Sequence, residues 1–497
     1  MLAGVRTARA QGAIDGGTPA PSGGAPSVNA NPDGGAPPAE ATPGESGGGL
    51  FEGSQAAAAP APTSDLAAAV AKAPFTLNGY VRGDVFVGKT QDQRAAEMKA
   101  NYGELALQLR TAKTVFGDGF ADARFRYGLQ GNGQGTFVDI REAYVNAYLG
   151  PFDLRLGKQI IVWGRADALN PTNNLTPVDF RIRSPLEDDI RLGNVGARAF
   201  LRLGVVRLEG AWMPTYLATE LPTVGLPPDV VFGAPLFPSA DLKNGLVAGR
   251  IHLELPAFET SISYLRGYAP LPGLTLTGLR FSATDPAVFV SRTAYNQQVL
   301  GFDFSTALGE VLTLRGEAAY RRPYDWQNRP YAARPDLQYA LGADHTFGTV
   351  SIIVQYLGRY VFDWQKEPGT MRNPGELAGI LSDPGNQAGF TDLVTTEVSA
   401  ELAQINQILF SQTARVQHIA TLRFEWLALH EALSISSLCL YNFTTQEWLI
   451  TPRIGWKLSD AMTAFVGAQV FAGPNDTLFG LIDQELSAGY VELRFTY

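Results

Sequence analysis

The protein has 497 residues, a formal net charge of −9 and 45% hydrophobic residues. This acidic balance argues against a nucleic-acid partner, and a single cysteine, Cys439, excludes an intramolecular disulfide and a multi-cysteine zinc site. With only four histidines besides, we expect no metal and no cofactor. No stretch reaches the roughly 18 consecutive apolar residues that a membrane-spanning helix needs.

The N-terminal 72 residues predict no packed domain. Ala8, Arg9 and Ala10 resemble the small-residue end of a secretory signal. Because the apolar run before them is short, we interpret residues 1–10 as the remnant of a signal peptide that starts upstream, and an accidental match is the alternative. Residues 11–72 are rich in glycine, alanine and proline and predict a disordered periplasmic arm, since they cannot bury enough apolar surface to offset their chain entropy.

From Phe75 to Tyr497 the chain alternates apolar and polar residues, as a series of β-strands does. Within residues 310–321, for example, Leu314 and Ala318 share one face and Arg315 shares the other with Glu317. Many segments reach about ten residues, near the length with which a tilted strand crosses a bilayer. Aromatic residues end several apolar faces, as interfacial girdles do: Trp212, Tyr320, Trp426 and Trp456.

Short and long connections alternate along this region. The eight short ones are Lys113–Asp118, Gly150–Phe152, Leu203–Val205, Leu255–Phe258, Leu308–Val311, Phe347–Thr349, Leu427–Glu431 and Leu458–Ala461. The clearest long ones are Gly164–Asp189, Leu217–Lys243, Ala269–Thr293, Arg322–Pro335 and Phe362–Phe410. Transmembrane barrels have short periplasmic turns and long extracellular loops. The sequence therefore predicts an all-β fold, a transmembrane antiparallel β-barrel of about 18 strands over residues 73–497, with 16 strands as the alternative.

The end of the chain alternates as well, with Phe495 and Tyr497 on the apolar face. A terminal aromatic residue that closes an alternating strand resembles the signal read by the barrel-assembly machinery of Gram-negative bacteria. We therefore expect an outer-membrane protein, surrounded by outer-membrane lipids and lipopolysaccharide, with both termini in the periplasm.

The polar faces predict a charged lumen. Backbone groups in lipid must all be paired, so the sheet closes and its polar side faces inward. The predicted lumen-lining residues are Arg82, Arg126, Glu142, Arg155, Arg198, Arg250, Glu254, Arg315, Glu317, Arg423, Glu425 and Arg494. A slightly basic pathway for anionic or zwitterionic solutes is one interpretation. Arg–carboxylate ladders that brace a wide barrel are the other, and the near balance of charges favours them.

Two positions fit this inward and outward alternation badly. Glu142 faces inward only if Asp139 and Arg141 lie beyond the lipid, near the outer end of their strand. Lys158 falls on an apolar face, which either a β-bulge near Gly157 or a side chain reaching to the interface would explain. The sequence does not choose between these two explanations.

Residues 156–183 end a strand and begin a long extracellular loop, and we expect Trp163 and Gly164 at the strand end, at the outer interface. Aspartate, asparagine and proline follow at spacings that fix turns. The residues predicted to form a constriction or lid are Trp163, Gly164, Arg165, Asp167, Asn170, Pro171 and Asp179. A purely external loop is the alternative, and the spacing matches no calcium-binding loop.

The pattern G-K-Q-x-x-x-W-G-R-x-D-x-x-N-P-x-N-x-L-x-P-x-D at residues 157–179 resembles a segment of a family of largely uncharacterised, porin-like Gram-negative outer-membrane barrels. That family is associated with inner-membrane exporters of the resistance-nodulation-division type and is loosely similar to alginate-export and fatty-acid-transport barrels. The resemblance implies transport, with a lipid or hydrophobic compound as one cargo class, and a periplasmic or inner-membrane exporter as a partner.

The longest loop, at residues 362–410, has apolar residues at roughly helical spacing over Asp392–Leu409. This spacing predicts an amphipathic helix over or inside the mouth of the barrel. A disordered loop is the alternative.

These features predict an outer-membrane channel or transport barrel that passes small or amphipathic solutes and is constricted by the 164–189 and 362–410 loops. A structural or surface-scaffold barrel is one alternative, and the outer-membrane component of a lipid or hydrophobic-compound export assembly is another. We do not expect an enzyme, because no nucleophile stands beside any of the four histidines.

Overall fold

The computed structural model describes residues 74–89, 95–131, 133–222, 230–280, 287–309, 312–366 and 387–497. The predicted signal remnant at 1–10 and the predicted arm at 11–72 lie outside these residues, so both stay predictions. The first strands are β1 Phe75–Lys89, β2 Ala96–Thr111, β3 Gly117–Gln130, β4 Gly133–Leu149, β5 Phe152–Gln159, β6 Asn194–Leu203, β7 Val206–Met213, β8 Val230–Phe232, β9 Leu246–Leu255, β10 Phe258–Tyr268, β11 Gly273–Arg280 and β12 Ala287–Thr293. The remaining strands are β13 Asn296–Leu308, β14 Leu312–Pro323, β15 Asp336–Phe347, β16 Val350–Val361, β17 Val416–Ala428, β18 Leu433–Asn442, β19 Glu447–Lys457, β20 Met462–Ala472 and β21 Ala488–Thr496.

Across the described residues, all strands except β8, β11 and β12 form one closed sheet of 18 strands. Each strand of this sheet pairs antiparallel with its neighbours in chain order, and β21 closes the ring on β1 with Val491 opposite Val85. The predicted all-β antiparallel barrel of about 18 strands is confirmed. Each of the eight predicted short turns joins two neighbouring strands, and β1 begins and β21 ends at the same edge as those turns.

The two faces of the barrel wall differ in chemistry, as β21 illustrates. Its outward side chains Val491, Leu493 and Phe495 are 57%, 49% and 47% exposed. Its inward side chains Glu492 and Arg494 are 0% and 7% exposed. Alternation along each strand therefore separates an apolar outer surface from a charged interior that is largely covered.

A β-bulge resolves the first conflict in the predicted alternation. The register between β3 and β4 shifts so that Asp122 pairs with Glu142 while Ala123 pairs with Ile140, which leaves Arg141 as the extra residue. A bulge places two consecutive residues opposite one, so Arg141 and Glu142 both lie on the inner face. Glu142 therefore faces inward without the condition that strict alternation required, because a bulge cannot be read from alternation.

The second conflict has a different explanation. The pairings of β5 with β4 and β6 run without a register shift, and Lys158 stays opposite Ala143 and Val195 on the outward face. Its ammonium group lies 3.3 Å from the Asp139 carboxylate. Of the two explanations left open, the bulge near Gly157 is therefore absent from these pairings, and an ion pair accommodates the lysine.

The long connections carry structure of their own. The strands β11, β12 and β8 form a separate three-stranded sheet, although residues 269–293 were expected to form a loop. The predicted helix is present as α1, Gln387–Leu409, and a second helix, α2, spans Leu478–Leu486. The Asn406 side chain fastens α1 to β11 through bonds of 2.7 and 2.9 Å to both backbone groups of Leu274. Among the described helices, none is long and apolar enough to cross a membrane.

The predicted assembly signal lies at the seam of the barrel. Tyr497 exchanges two backbone hydrogen bonds with Gly79, of 3.1 and 3.2 Å, and its hydroxyl donates to the Ala106 carbonyl at 3.0 Å. We expect Tyr497→Ala to lower the yield of closed barrel severalfold, measured by the heat-dependent mobility of the membrane-extracted protein in gels. Tyr441→Ala, which removes an outward ring of similar exposure (41% against 43%), is the control. Equal yields from both variants would contradict a role for Tyr497 in assembly.

Candidate functional site

The connection between β5 and β6, residues 160–193, folds into the barrel, and we call it the lumen loop. Trp163 is only 2% exposed, and its indole nitrogen donates a 2.9 Å hydrogen bond to Glu209 on the inner face of β7. The expectation that Trp163 ends a strand at the membrane interface was wrong, because β5 already ends at Gln159. A buried indole needs an acceptor, and Glu209 on the inner wall provides one.

Gly164 makes the inward turn of the lumen loop sterically feasible. Its φ of +104° lies in the region that side chains rarely adopt. A Cβ at this position would stand 2.0 Å from the Asn170 side-chain oxygen and 2.3 Å from a Glu317 carboxylate oxygen. Only glycine fits here, which gives a physical reason for the Trp-Gly pair in the motif.

Asn170 and Pro171 form the tight turn that follows. The Asn170 side-chain oxygen accepts hydrogen bonds of 3.1–3.2 Å from the backbone of Thr172 and Asn173. The Pro171 carbonyl accepts a 2.8 Å bond from the side chain of Asn174. Both residues therefore shape the lumen loop through local hydrogen bonds, as asparagine and proline commonly do in turns.

Arg165 holds the lumen loop against one part of the wall. Its guanidinium lies 2.8 Å from both Asp303 on β13 and Glu259 on β10. Its backbone N–H donates a 3.0 Å bond to Glu317 on β14. One loop residue thus contacts three neighbouring strands.

Asp167 and Glu187 attach the lumen loop to a second part of the wall. The Asp167 carboxylate lies 2.5 Å from Arg423 on β17, and its backbone N–H donates a 3.1 Å bond to Gln355 on β16. Glu187 approaches the same Arg423 at 3.3 Å. Arg423 therefore joins two parts of the lumen loop that are 20 positions apart in the sequence.

Asp189 attaches the lumen loop to a third part of the wall. Its carboxylate lies 2.7 Å from Arg82 on β1, 3.6 Å from Arg124 on β3 and 3.7 Å from Arg141 on β4. Burial would raise the pKa of Asp189, but these three guanidinium groups outweigh burial and hold the pKa well below its usual range. Asp189 therefore stays ionised at neutral pH and matches a locally basic wall.

These contacts show that the lumen loop bridges the barrel. Glu187 and Asp189 are two residues apart, yet one contacts β17 and the other contacts β1, β3 and β4. Going round the ring, four strands, β18 to β21, separate β17 from β1. A segment of three residues therefore contacts both places on the inner wall. Asp179 lies elsewhere in the loop and pairs with Arg181 at 2.8 Å.

The predicted lumen-lining residues lie on the inner face, mostly in pairs across strands. Ion pairs with wall carboxylates or arginines are 2.9 Å for Arg82–Glu104, 2.8 Å for Arg198–Glu209, 2.7 Å for Arg250–Asp303, 2.8 Å for Arg207–Glu254, 3.0 Å for Arg315–Asp344 and 2.5 Å for Arg494–Glu492, and Arg126 also pairs with Glu104. Glu142 accepts a 2.9 Å bond from the Ile160 N–H, and Arg155 donates one of 2.9 Å to Asn146. This arrangement matches the bracing ladders of the second interpretation.

Sequence reasoning missed the residues at the far end of the lumen loop. Glu187 and Asp189 carry two of its attachments, but their role depends on which arginines face them across the lumen. The acidic run Glu187–Asp189, four residues before β6, was the available signal. Among the described residues, no group of three or more histidine, cysteine, aspartate or glutamate side chains is arranged to hold a metal ion.

Comparisons with known proteins match part of the sequence and the general course of the backbone. Residues 63–225, which include the lumen loop, match the model of a family described as "Protein of unknown function (DUF1302)". No curated protein matches the chain. Solved structures with a similar course include Acinetobacter baumannii OccAB3 (TM-score 0.49, 9% identity, 85% of this chain and 99% of that chain), Pseudomonas aeruginosa OccK2 (OpdF) in complex with glucuronate (0.49, 9%, 85% and 96%) and Pseudomonas aeruginosa OpdK with vanillate (0.49, 9%, 85% and 98%). Similarity at this level supports no argument about solutes.

We expect Asp189→Asn to loosen the lumen loop. Removing one partner of a buried ion pair costs about 3 kcal/mol, so backbone amides of residues 179–193 should exchange hydrogen about a hundredfold faster. The control is Asp241→Asn on the exposed β7–β9 connection, where asparagine can still accept the bond from the Lys243 N–H. Unchanged exchange in Asp189→Asn would show that this carboxylate does not hold the loop.

Proposed function

We propose that this chain is an outer-membrane channel of a Gram-negative bacterium and that small solutes pass through a lumen narrowed by the lumen loop. The observation that carries this proposal is the lumen loop itself, which is ion-paired to opposite parts of the inner wall. The apolar outer face of a closed antiparallel barrel suits a bilayer, in which every backbone group must be paired within the sheet.

The exposure of the inner wall supports a narrow level of the lumen at the lumen loop. Near the short turns, the inward side chains of Arg202 and Glu254 are each 44% exposed. At the level of the lumen loop, the side chains of Arg82, Arg124 and Arg141 are at most 10% exposed. A vestibule that opens toward the short turns and ends at the lumen loop supports passage that is limited by this loop.

The second candidate is a barrel that stays closed at rest and serves as a scaffold or as the outer-membrane component of an export assembly for lipids or hydrophobic compounds. The same bridging contacts favour it, because they leave the lumen loop attached on all sides. An exporter partner, implied by the family resemblance, belongs to this candidate. The channel and the closed barrel differ in one measurable property: whether ions pass through the barrel while the lumen loop is attached.

We expect the intact barrel in a planar lipid bilayer to show a small, steady conductance in potassium chloride. The unclamped variant Arg165→Gln/Asp167→Asn/Asp189→Asn should show a severalfold larger, fluctuating conductance, because the lumen loop can then leave the lumen. Deletion of residues 165–183 should enlarge the conductance without the fluctuation.

The matched control is the triple variant Asp241→Asn/Lys243→Gln/Asp392→Asn, which changes three exposed residues of the long connections and should conduct like the intact barrel. A large conductance shared by the intact and unclamped barrels would mean that the lumen loop does not limit passage. If no variant conducts, the channel function is overturned, and the scaffold or export function is the one that is left.

A further inference from the structure

Two charged residues of the inner wall, Glu425 and Arg453, take no part in the ion-pair ladders among the described residues. Glu425 on β17, Ser436 on β18 and Arg453 on β19 are direct cross-strand neighbours, so they form one inward-facing row. With strands about 4.8 Å apart, the two charged residues are separated by about 10 Å of wall. Only the small side chain of Ser436 lies between them, and we call this stretch of the inner wall the recess.

The Arg453 guanidinium turns away from Glu425. It stacks 3.9 Å from the ring centroid of Phe465 on β20, which is the neighbour of β19 on the side opposite β18. Its Nε and Nη2 atoms are buried and have no hydrogen-bond acceptor among the residues that the structure describes. A buried guanidinium without an acceptor is costly, so this wall position suits an incoming anion.

The Glu425 carboxylate complements this arginine. Within the described part of the chain it has no ion pair, because the nearest arginine in sequence, Arg423, binds Asp167 and Glu187 instead. Several other carboxylates of the inner wall pair directly with an arginine of an adjacent strand, as Glu209 does with Arg198 at 2.8 Å. Here the intervening Ser436 keeps the two charges apart.

The recess lies beside the narrow level of the channel. Glu425 follows Arg423 by two residues toward the short turns, so it sits on the vestibule side of the lumen loop. A solute that has entered the vestibule meets the recess immediately before the lumen loop.

We propose that this recess is a binding site for a small zwitterionic solute, whose ammonium group pairs with Glu425 and whose carboxylate pairs with Arg453. The site rests on the channel function proposed above and adds a solute class to it. Glu425 and Arg453 lie two strands apart on the wall, and the Arg453 guanidinium points toward β20, so their charges are well separated. A solute with separated charges can meet both groups, whereas a singly charged solute of the same length meets one and is opposed by the other.

The test uses 6-aminohexanoate, with 6-hydroxyhexanoate and 6-aminohexanol as its singly charged analogues of the same length. Each is added on the short-turn side while single channels conduct potassium chloride. We expect 6-aminohexanoate to half-block the current at a concentration about tenfold below that of either analogue, since one charge-assisted contact is worth about that factor. Equal blocking by all three would overturn the site while leaving the channel intact.

Variants assign the two contacts. Glu425→Gln should make 6-aminohexanoate no better than 6-hydroxyhexanoate, and Arg453→Gln should make it no better than 6-aminohexanol. The charge-swapped variant Glu425→Arg/Arg453→Glu keeps the net charge. It should recover the preference for 6-aminohexanoate over its analogues, with the solute bound in the opposite orientation. Asp153→Asn, an inner-wall carboxylate on β5 that pairs with Arg202 at 3.3 Å, should leave the preference unchanged.

Two outcomes separate the proposals. If the Glu425→Gln and Arg453→Gln channels conduct normally and still prefer 6-aminohexanoate over its analogues, only the binding site is contradicted. Barrels that never conduct, although their heat-dependent mobility shows them closed, would contradict the channel function first. Each variant is therefore checked for barrel closure and for potassium chloride conductance before block is measured.

Discussion

Everything in this molecule depends on pairing the backbone of each strand with two neighbours. A strand in an apolar surrounding has no water to satisfy its N–H and C=O groups, so the sheet can end only by closing on itself. The pairing of β21 with β1, extended by Tyr497 on Gly79, completes that closure. Once the ring is closed, alternation fixes which side chains face outward and which face the lumen.

Closure of 18 strands creates a second requirement, because a ring of that size leaves an interior too wide for wall side chains to fill. Cross-strand ion pairs cover the wall, and the lumen loop crosses the remaining space. Buried ion pairs often add little net stability but are costly to break singly. The three attachments through Arg165, Asp167 and Asp189 therefore fix the position of the loop more than they strengthen the barrel.

Most of the fold could be predicted from the sequence because strand alternation and turn length are local properties. The alternation of Val491, Leu493 and Phe495 with charged residues is visible in the chain itself. The bulge at Arg141 was missed because alternation does not reveal the register between β3 and β4. The small sheet was missed because β8 pairs with β12, which is distant in sequence.

The candidate site was likewise predictable in part. The motif from Trp163 to Asp179 identified the inward-folding segment through its glycine, asparagine and proline. Its attachments were beyond prediction because they depend on which loop residue meets which strand across the lumen. Asp189 is the clearest example, since its partners Arg82, Arg124 and Arg141 come from three different strands.

The lumen loop lies inside the barrel, against the wall opposite its own strands. Ala166 of the loop packs with Ala340 on β15 in one buried cluster. In a Cys439→Ser background, oxidation of Ala166→Cys/Ala340→Cys in intact cells tests this contact directly. We expect near-complete disulfide formation, and none for Ala240→Cys/Ala340→Cys, whose first cysteine lies on the exposed β7–β9 connection. Absence of the first disulfide in a closed barrel would mean that the loop lies outside the lumen and does not limit passage.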